Sequence, residues 1–272
     1  MKLRTIFEAL GFRSPPRTYG HRVATFQLER EGSVQFAQWL HPKCAPTNFD
    51  QAEVDELRNY LRPGDAVIDV GAHSGDTTVL FALAAGAEGR VFAVEPNRYV
   101  LPVLQANAAL NPKAAPIEIL PYAATSETMP LVFNYSDAGF CNGGDLSDKG
   151  IFRAGHLYRL DVEGRNIADE LAATAPEWLS RVRLIKTDTE GNDQSVIESL
   201  APIIRETRPY LISEIYKRST EAERRAFHRL LTQDLGYRVY RAELYTRLRA
   251  EELGADDMMK FEHFDIFCVP AD

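Results

Sequence analysis

The stretch Leu184-Ile-Lys-Thr-Asp-Thr-Glu-Gly191 places ionisable side chains at alternate positions, Lys186, Asp188 and Glu190. Two apolar residues precede them, so the stretch reads as a buried strand whose alternate side chains share one face. Gly191 ends the strand, and Asn192 or Asp193 would cap the helix that follows. Burying three ionisable groups together is costly unless they serve a purpose. They form either a salt-bridged cluster or a site that handles protons or cations. Tyr210-Leu-Ile-Ser-Glu-Ile215 brings another acid, Glu214, to the end of the next strand.

A second group of residues lies earlier in the chain. Ala66-Val-Ile-Asp-Val-Gly-Ala-His-Ser-Gly75 is a short apolar strand, interrupted by Asp69 and closed by two glycines. A helix follows over Thr77–Ala85. Strand, glycine loop and helix are how open α/β sheets bind nucleotides at the carboxyl ends of their strands. Gly71 and Gly75 would permit a tight turn and a close backbone approach to a ligand. The first N–H groups of the Thr77 helix would favour anionic or polar groups. Asp76-Thr77 stands where the phosphate loop of an NTPase needs Lys-Ser/Thr. The run Gly-Ala-His-Ser-Gly-Asp over 71–76 lacks the third glycine of the NAD fingerprint. Asp69, just before the glycines, would repel a pyrophosphate and suit a cationic ligand such as S-adenosylmethionine. Arg90-Val-Phe-Ala-Val-Glu95-Pro-Asn97 then ends an apolar strand in an acid, roughly twenty residues after the glycines. A carboxylate there can bond both ribose hydroxyls; the bland reading is a solvated strand end.

The elements around these residues alternate. Strands are predicted at Val67–Val70, Arg90–Glu95, Ile117–Leu120, Val182–Asp188 and Pro209–Ile215. Helices are predicted at Thr77–Ala85, Arg98–Asn107, Asp193–Leu200 and Thr220–Leu235. Repeated β-α units mean a mainly parallel, doubly wound α/β sheet. Tyr237–Leu244 and Phe264–Val269 lack a strong helix between them and read as an antiparallel edge pair. Met1–Gly20 reads as a short helix and a turn. Ala24–Glu29 and Ser33–Trp39 flank Arg30-Glu-Gly32 as a β-hairpin. Asn48–Leu61 reads as a helix capped by Asp50 or Asn48. Residues 1–50 therefore form an N-terminal extension of helix and hairpin, and 51–272 the main domain. Met129–Asp161 is polar and has little periodicity, as lids and binding loops do. Phe140 and Asn142 within it, with Glu214, are the expected acceptor-side residues.

Composition narrows the class. The 272 residues suffice for one large α/β domain, and the formal net charge of -8 argues against a general nucleic-acid or acidic-membrane binder. No stretch has the length of a membrane span, and the first ten residues lack the apolar core of an export signal. Three scattered cysteines, Cys44, Cys141 and Cys268, suggest reduced thiols and a cytoplasmic location. No zinc-type Cys/His spacing occurs.

Together, Val67–Gly75, Val91–Asn97, Leu104–Asn107 and Leu184–Gly191, with a weaker match at Pro209–Glu214, resemble the FkbM family of S-adenosylmethionine-dependent methyltransferases. The resemblance spans roughly Glu53 to Glu214. It implies a Rossmann-like class I methyltransferase fold and S-adenosylmethionine as cofactor. By that resemblance Asp69, Gly71 and Gly75, with Ala72, His73, Ser74 and Thr78, hold the methionine end. Glu95, with Pro96 and Asn97, holds the ribose, and Ala123 lies beside the adenine. Asp188 and Glu190 face the methyl group and the acceptor. The chain departs from the family pattern at His73, where Asn is frequent. Ile167-Ala-Asp169 only loosely echoes the family's Leu-Asp pair.

If methyl transfer is the reaction, a hydroxyl acceptor must lose its proton, and Asp188 is the first candidate base. Glu190 positions the acceptor or exchanges roles with Asp188, and Lys186 keeps the carboxylates ionised. His73, His156 and His263 are alternatives. A divalent metal between Asp188 and Glu214 ranks below a metal-free site. The expected activity is O-methylation of a sugar, glycan or natural product, by a protein that binds no nucleic acid and is compatible with a homo-oligomer. An NAD-dependent oxidoreductase and a methyltransferase-fold binding protein without catalysis stand as rivals.

Overall fold

The computed structural model describes residues 18–135 and 158–271. The amino-terminal helix expected within Met1–Gly20, together with Phe140, Cys141, Asn142 and His156, lies outside them.

The hairpin is present as β1 (His21–Leu28) and β2 (Gly32–Trp39), paired antiparallel around the Arg30–Glu31 turn. Helix α1 (Gln51–Leu57) starts at Asp50, whose side chain accepts from Ala52 N while Glu53 reaches back to the Asp50 N–H. That reciprocal cap satisfies two otherwise orphaned donors and fixes the start of the helix.

The chain then alternates through β3 (Ala66–Val70), α2 (Asp76–Ala85), β4 (Arg90–Val94), α3 (Leu101–Leu110) and β5 (Ile117–Leu120). It returns through α4 (Ile167–Thr174), α5 (Pro176–Leu179), β9 (Val182–Thr187), α6 (Asp193–Ser199), α7 (Ala201–Thr207) and β10 (Tyr210–Ile215). Helix α8 (Glu221–Arg229) runs into a single π-helical turn at Leu230–Asp234. Strands β11 (Tyr237–Glu243), β12 (Arg247–Glu252) and β13 (Phe264–Pro270) close the fold.

The main sheet has the order β12-β11-β13-β10-β9-β3-β4-β5. Its β10-β9-β3-β4-β5 portion is parallel, while β13 runs antiparallel to both β10 and β11. This is the mainly parallel, Rossmann-like sheet with antiparallel strands at its carboxyl-terminal end. The predicted β11–β13 pair forms, but the edge belongs to β12, which the sequence reading omitted. Successive strand residues feed opposite cores, as a two-residue repeat requires. Ile68, Phe92 and Ile185 pack with α4, α6 and α8, whereas Val67, Val91 and Leu184 pack with α1 and α2.

The polar segment is bounded by strands rather than loops. β7 (Met129–Tyr135) pairs antiparallel with β8 (Tyr158–Arg165), and β8 pairs with the short β6 (Ala123–Ala124). Of the two readings of this segment, a binding loop or a small extra hairpin, residues 129–135 and 158–165 take the second, as paired antiparallel strands.

Candidate active site

The chain runs from β3 outward to β5 and resumes on the other side of β3 with β9. The order therefore reverses between β3 and β9, and ligands of open α/β sheets sit outside the carboxyl ends of strands at such a point. The loop after β3 and the turn after β9 flank it.

Register brings Asp69 of β3 directly beside Lys186 of β9, so their side chains share a face. Lys186 Nζ lies 3.3 Å from Asp69 Oδ1 and 3.6 Å from Asp188 Oδ2, and donates to the Gly71 carbonyl at 2.9 Å. Burial would push its ammonium down, but Asp69 and Asp188 reverse that and hold it well above its ordinary value. The Asp69 carboxylate is fully buried and also accepts from Thr77 Oγ1 at 3.1 Å and Thr78 Oγ1 at 2.6 Å. The cation that Asp69 faces is the chain's own lysine. Asp69 braces the glycine loop and the start of α2 from below. Thr77 had no role in the sequence reading, though a hydroxyl eight residues after an acid across a tight loop is a signal of such bracing.

Backbone conformation shapes the loop itself. Gly71 (φ 80°), His73 (φ 48°) and Gly75 (φ 94°) are left-handed. A Cβ at Gly71 would lie 2.0 Å from the Asp188 carbonyl oxygen, so glycine is needed where the loop meets the end of β9. Asp188 N donates to Val70 O, which fixes that junction. Ala72, Ser74 and Thr78 are buried beneath the loop.

Glu95, one residue beyond β4, is 6 % exposed. Its two oxygens accept from His73 N at 2.9 Å and Asn97 N at 2.7 Å. Burial raises its carboxyl to about 7 despite those two hydrogen bonds. Each oxygen retains acceptor capacity, since a carboxylate has about four lone-pair sites. The residues thus fit a ribose with two adjacent hydroxyls, and Glu95 with the glycine loop could hold S-adenosylmethionine. Pro96 and Asn97 continue that turn, and Ala123 is buried in β6.

The acid end is more crowded than the sequence indicates. Strand β9 stops at Thr187, and Glu190 takes a left-handed conformation (φ 56°). The alternation therefore holds for Lys186 and Asp188 but does not extend to Glu190, a correction to the shared face. Asp188 is about half exposed, with 47 % of its side chain accessible. Burial, then the nearby Asp188, raises the Glu190 carboxyl, which contacts the Tyr216 hydroxyl. Asp193 does not cap α6 as expected. It accepts from Thr189 N and Gly191 N, tying down the turn, and burial raises it to about 6. Asn192 occupies the cap position without a side-chain cap bond.

Glu214 of β10 pairs across the ladder with Asp265 of β13, so the two acids share a face. Burial, followed by Asp188, Asp193, Glu190 and Asp265, pushes Glu214 up to about 9. Its Oε1 shares a hydrogen bond with His263 Nε2. His263 is half exposed at the start of β13. The structure thus gathers Lys186, Asp188, Glu190, Glu214 and His263 at one end of the sheet. His73 lies in the glycine loop instead, its ring pushed toward the neutral form by burial. Carboxylates and an imidazole there can orient a polar acceptor and take up its proton.

The profile of the Methyltransferase FkbM domain matches residues 69–239. Over 166 residues the chain is 25% identical to a ribosomal RNA large subunit methyltransferase E of Sorangium cellulosum (strain So ce56), covering 59% of this chain and 72% of that protein. The solved structure of methyltransferase FkbM from Methylobacillus flagellatus KT superposes with a TM-score of 0.45 at 18% identity, over 80% of this chain and 51% of that one. The chain thus spans about half the length of that FkbM structure. Aeropyrum pernix fibrillarin, solved with natively bound S-adenosyl-L-methionine, gives 0.43 at 12% identity, over 94% of this chain and 100% of that one. With the match running from Asp69 in β3 to Val239 in β11, the chain belongs to the FkbM methyltransferase family.

Proposed function

We propose that this chain is an S-adenosylmethionine-dependent O-methyltransferase that acts on a hydroxyl of a small molecule, such as a sugar, glycan or natural product. One observation carries the reading: a buried ribose-type acid, Glu95, stands beside a glycine loop, and proton-accepting side chains crowd the neighbouring strand ends. S-adenosylmethionine supplies, when bound, a methyl group on a positively charged sulfur. The chain's own work is to align the acceptor, exclude water and remove the acceptor's proton. Glu95 binds the ribose hydroxyls. The 71–75 loop, braced by Asp69, receives the methionine end. Asp188 takes the acceptor proton on its carboxylate, with Lys186 Nζ 3.6 Å from its Oδ2. Glu190 and Glu214 orient the acceptor.

Calorimetry tests the cofactor part. S-adenosylhomocysteine should bind the wild-type protein and NAD should not; tight NAD binding with no response to either methionine compound overturns the reading. A search for labelled products with methyl-labelled cofactor then identifies the acceptor. With it in hand, Asp188→Asn should keep S-adenosylhomocysteine affinity and lower turnover by about 10²–10⁴-fold. Near-normal turnover would move the base to Glu190 or to the Glu214–His263 pair.

A further inference from the structure

The glycine loop is attached to the amino-terminal hairpin. In a two-stranded ribbon, alternate residues turn their N–H and C=O groups away from the partner strand. On the outer side of β2 these groups belong to Gln35 and Ala37. Asn107 Oδ1 accepts from Ala37 N at 2.6 Å, and Asn107 Nδ2 donates to Ala37 O at 3.2 Å. Asn111 repeats the pattern: its Oδ1 accepts from Gln35 N at 3.0 Å and its Nδ2 donates to Gln35 O at 2.8 Å. A helical turn rises about 5.4 Å and two strand residues about 6.7 Å. Two asparagines four apart at the end of α3 therefore serve β2 in place of a third strand.

Asn107 does one thing that Asn111 does not. Its Nδ2 also donates to the Ser74 carbonyl at 2.7 Å, inside the glycine loop. It is 1 % exposed. The next outward position of β2, Trp39, meets the His73 ring edge-on with centroids 5.2 Å apart. His73 holds a left-handed backbone, which costs energy in a non-glycine residue and persists only where neighbours over-determine it. The His73 N–H is one of the two donors to Glu95. Hairpin, loop and ribose-type acid are thus linked through Asn107 and Trp39.

We propose that Asn107 is a positioning residue for cofactor binding, and that through it the amino-terminal hairpin is a working part of the cofactor site. This rests on the proposed function, but the chain of contacts exists without ligand and can be probed without it. The test compares Asn107→Ala with Asn111→Ala in the full chain. Both lose hairpin bonds, and only the first loses the bond to Ser74. Asn107→Asp is the third variant, because it keeps an acceptor for the Ala37 N–H and removes the donation to Ser74. Two quantities are measured: S-adenosylhomocysteine affinity by calorimetry, and exchange of the His73 amide in the unliganded protein.

Both Asn107 variants should weaken S-adenosylhomocysteine binding by about tenfold or more and speed His73 exchange. Asn111→Ala should leave both near wild type. Equal affinity and exchange in all four proteins would overturn the inference. So would equal losses in the Asn107 and Asn111 variants, which would mean the hairpin acts only through general stability. A wild type that binds no S-adenosylhomocysteine would bring down the proposed function instead, and the exchange comparison would still decide whether Asn107 sets the loop.

Discussion

Glu95 shows what a single buried carboxyl can report. Its value near 7 arises from burial, which outweighs two backbone donors. The folded value lies above the ordinary one of 4.5. Glu95 therefore supports folding fully below that ordinary value, and that support is lost as pH rises through about 7. Ligand binding runs the other way, because two ribose hydroxyls donate best to an ionised carboxylate. S-adenosylhomocysteine affinity should rise between pH 6 and 8 (about one unit either side of the midpoint), and Glu95→Gln should remove most of that dependence. A wild-type affinity that is flat over this range would remove Glu95 from ribose recognition. The position of Glu95 was legible because a strand-terminal acid after a glycine loop leaves a local mark. The partner of Asp69 was not legible. Lys186 is more than a hundred residues away, and only the β3–β9 register brings the two together. A buried acid that finds a cation within the chain leaves no local mark of that partner in the sequence.

At the scale of elements, Arg224 holds the acid end in place. From α8, its guanidinium donates to Met258 O at 2.8 Å, Phe261 O at 2.6 Å, Glu262 O at 2.5 Å and Tyr216 O at 3.2 Å. It thereby pins the segment that delivers His263 to the turn after β10 that carries Tyr216. Lysine keeps the charge but lacks the planar fork. Arg224→Lys should destabilise the fold by about 2–4 kcal/mol in urea denaturation, and an unchanged midpoint would show that these carbonyls find other donors. Such a clamp leaves no trace in periodicity, since Arg224 sits on a charged, outwardly ordinary helix. The β-α units around β3, β4, β9 and β10 were legible because buried parallel strands are short apolar runs bounded by turn residues. Strand β12 was not, because Arg247-Leu-Arg-Ala-Glu-Glu252 is charged along its length. It is held by Arg238–Glu252 and by the looser Arg241–Glu251 contact, and a charged edge discourages pairing with other chains. Helix α4 carries a readable cap in Asn166, whose side chain accepts from Asp169 N, but it is short and is not among the helices predicted from the sequence.

At the scale of the whole molecule, the identity of the acceptor turns on charge. RNA is the acceptor class that the chain's charge tests most sharply. Nucleic-acid binding is driven largely by Lys and Arg displacing counterions from phosphates, and it strengthens with every cation on the contacting face. This chain carries 31 basic against 39 acidic residues, a formal charge of -8. The expected acceptor end is more adverse still. Asp188, Glu190, Glu214 and Asp265 converge there, and Lys186, the nearby buried cation, is already committed to Asp69 and Asp188. A phosphate brought to this end would meet a cluster of carboxyl groups rather than a basic patch, with Glu214, raised to about 9, largely protonated at neutral pH. A neutral polyol, or an acceptor bearing an amine, meets acceptors for its hydroxyl and ammonium protons. Neither single-stranded nor duplex RNA oligonucleotides should shift in a gel at about 0.15 M salt, where charges beyond about 8 Å are screened. Lowering the salt should not rescue binding, because the repulsion then reaches farther. An RNA complex whose affinity falls steeply with added salt would reverse this conclusion. It would point to a basic face remote from the strand ends and make RNA the acceptor to test first with labelled cofactor.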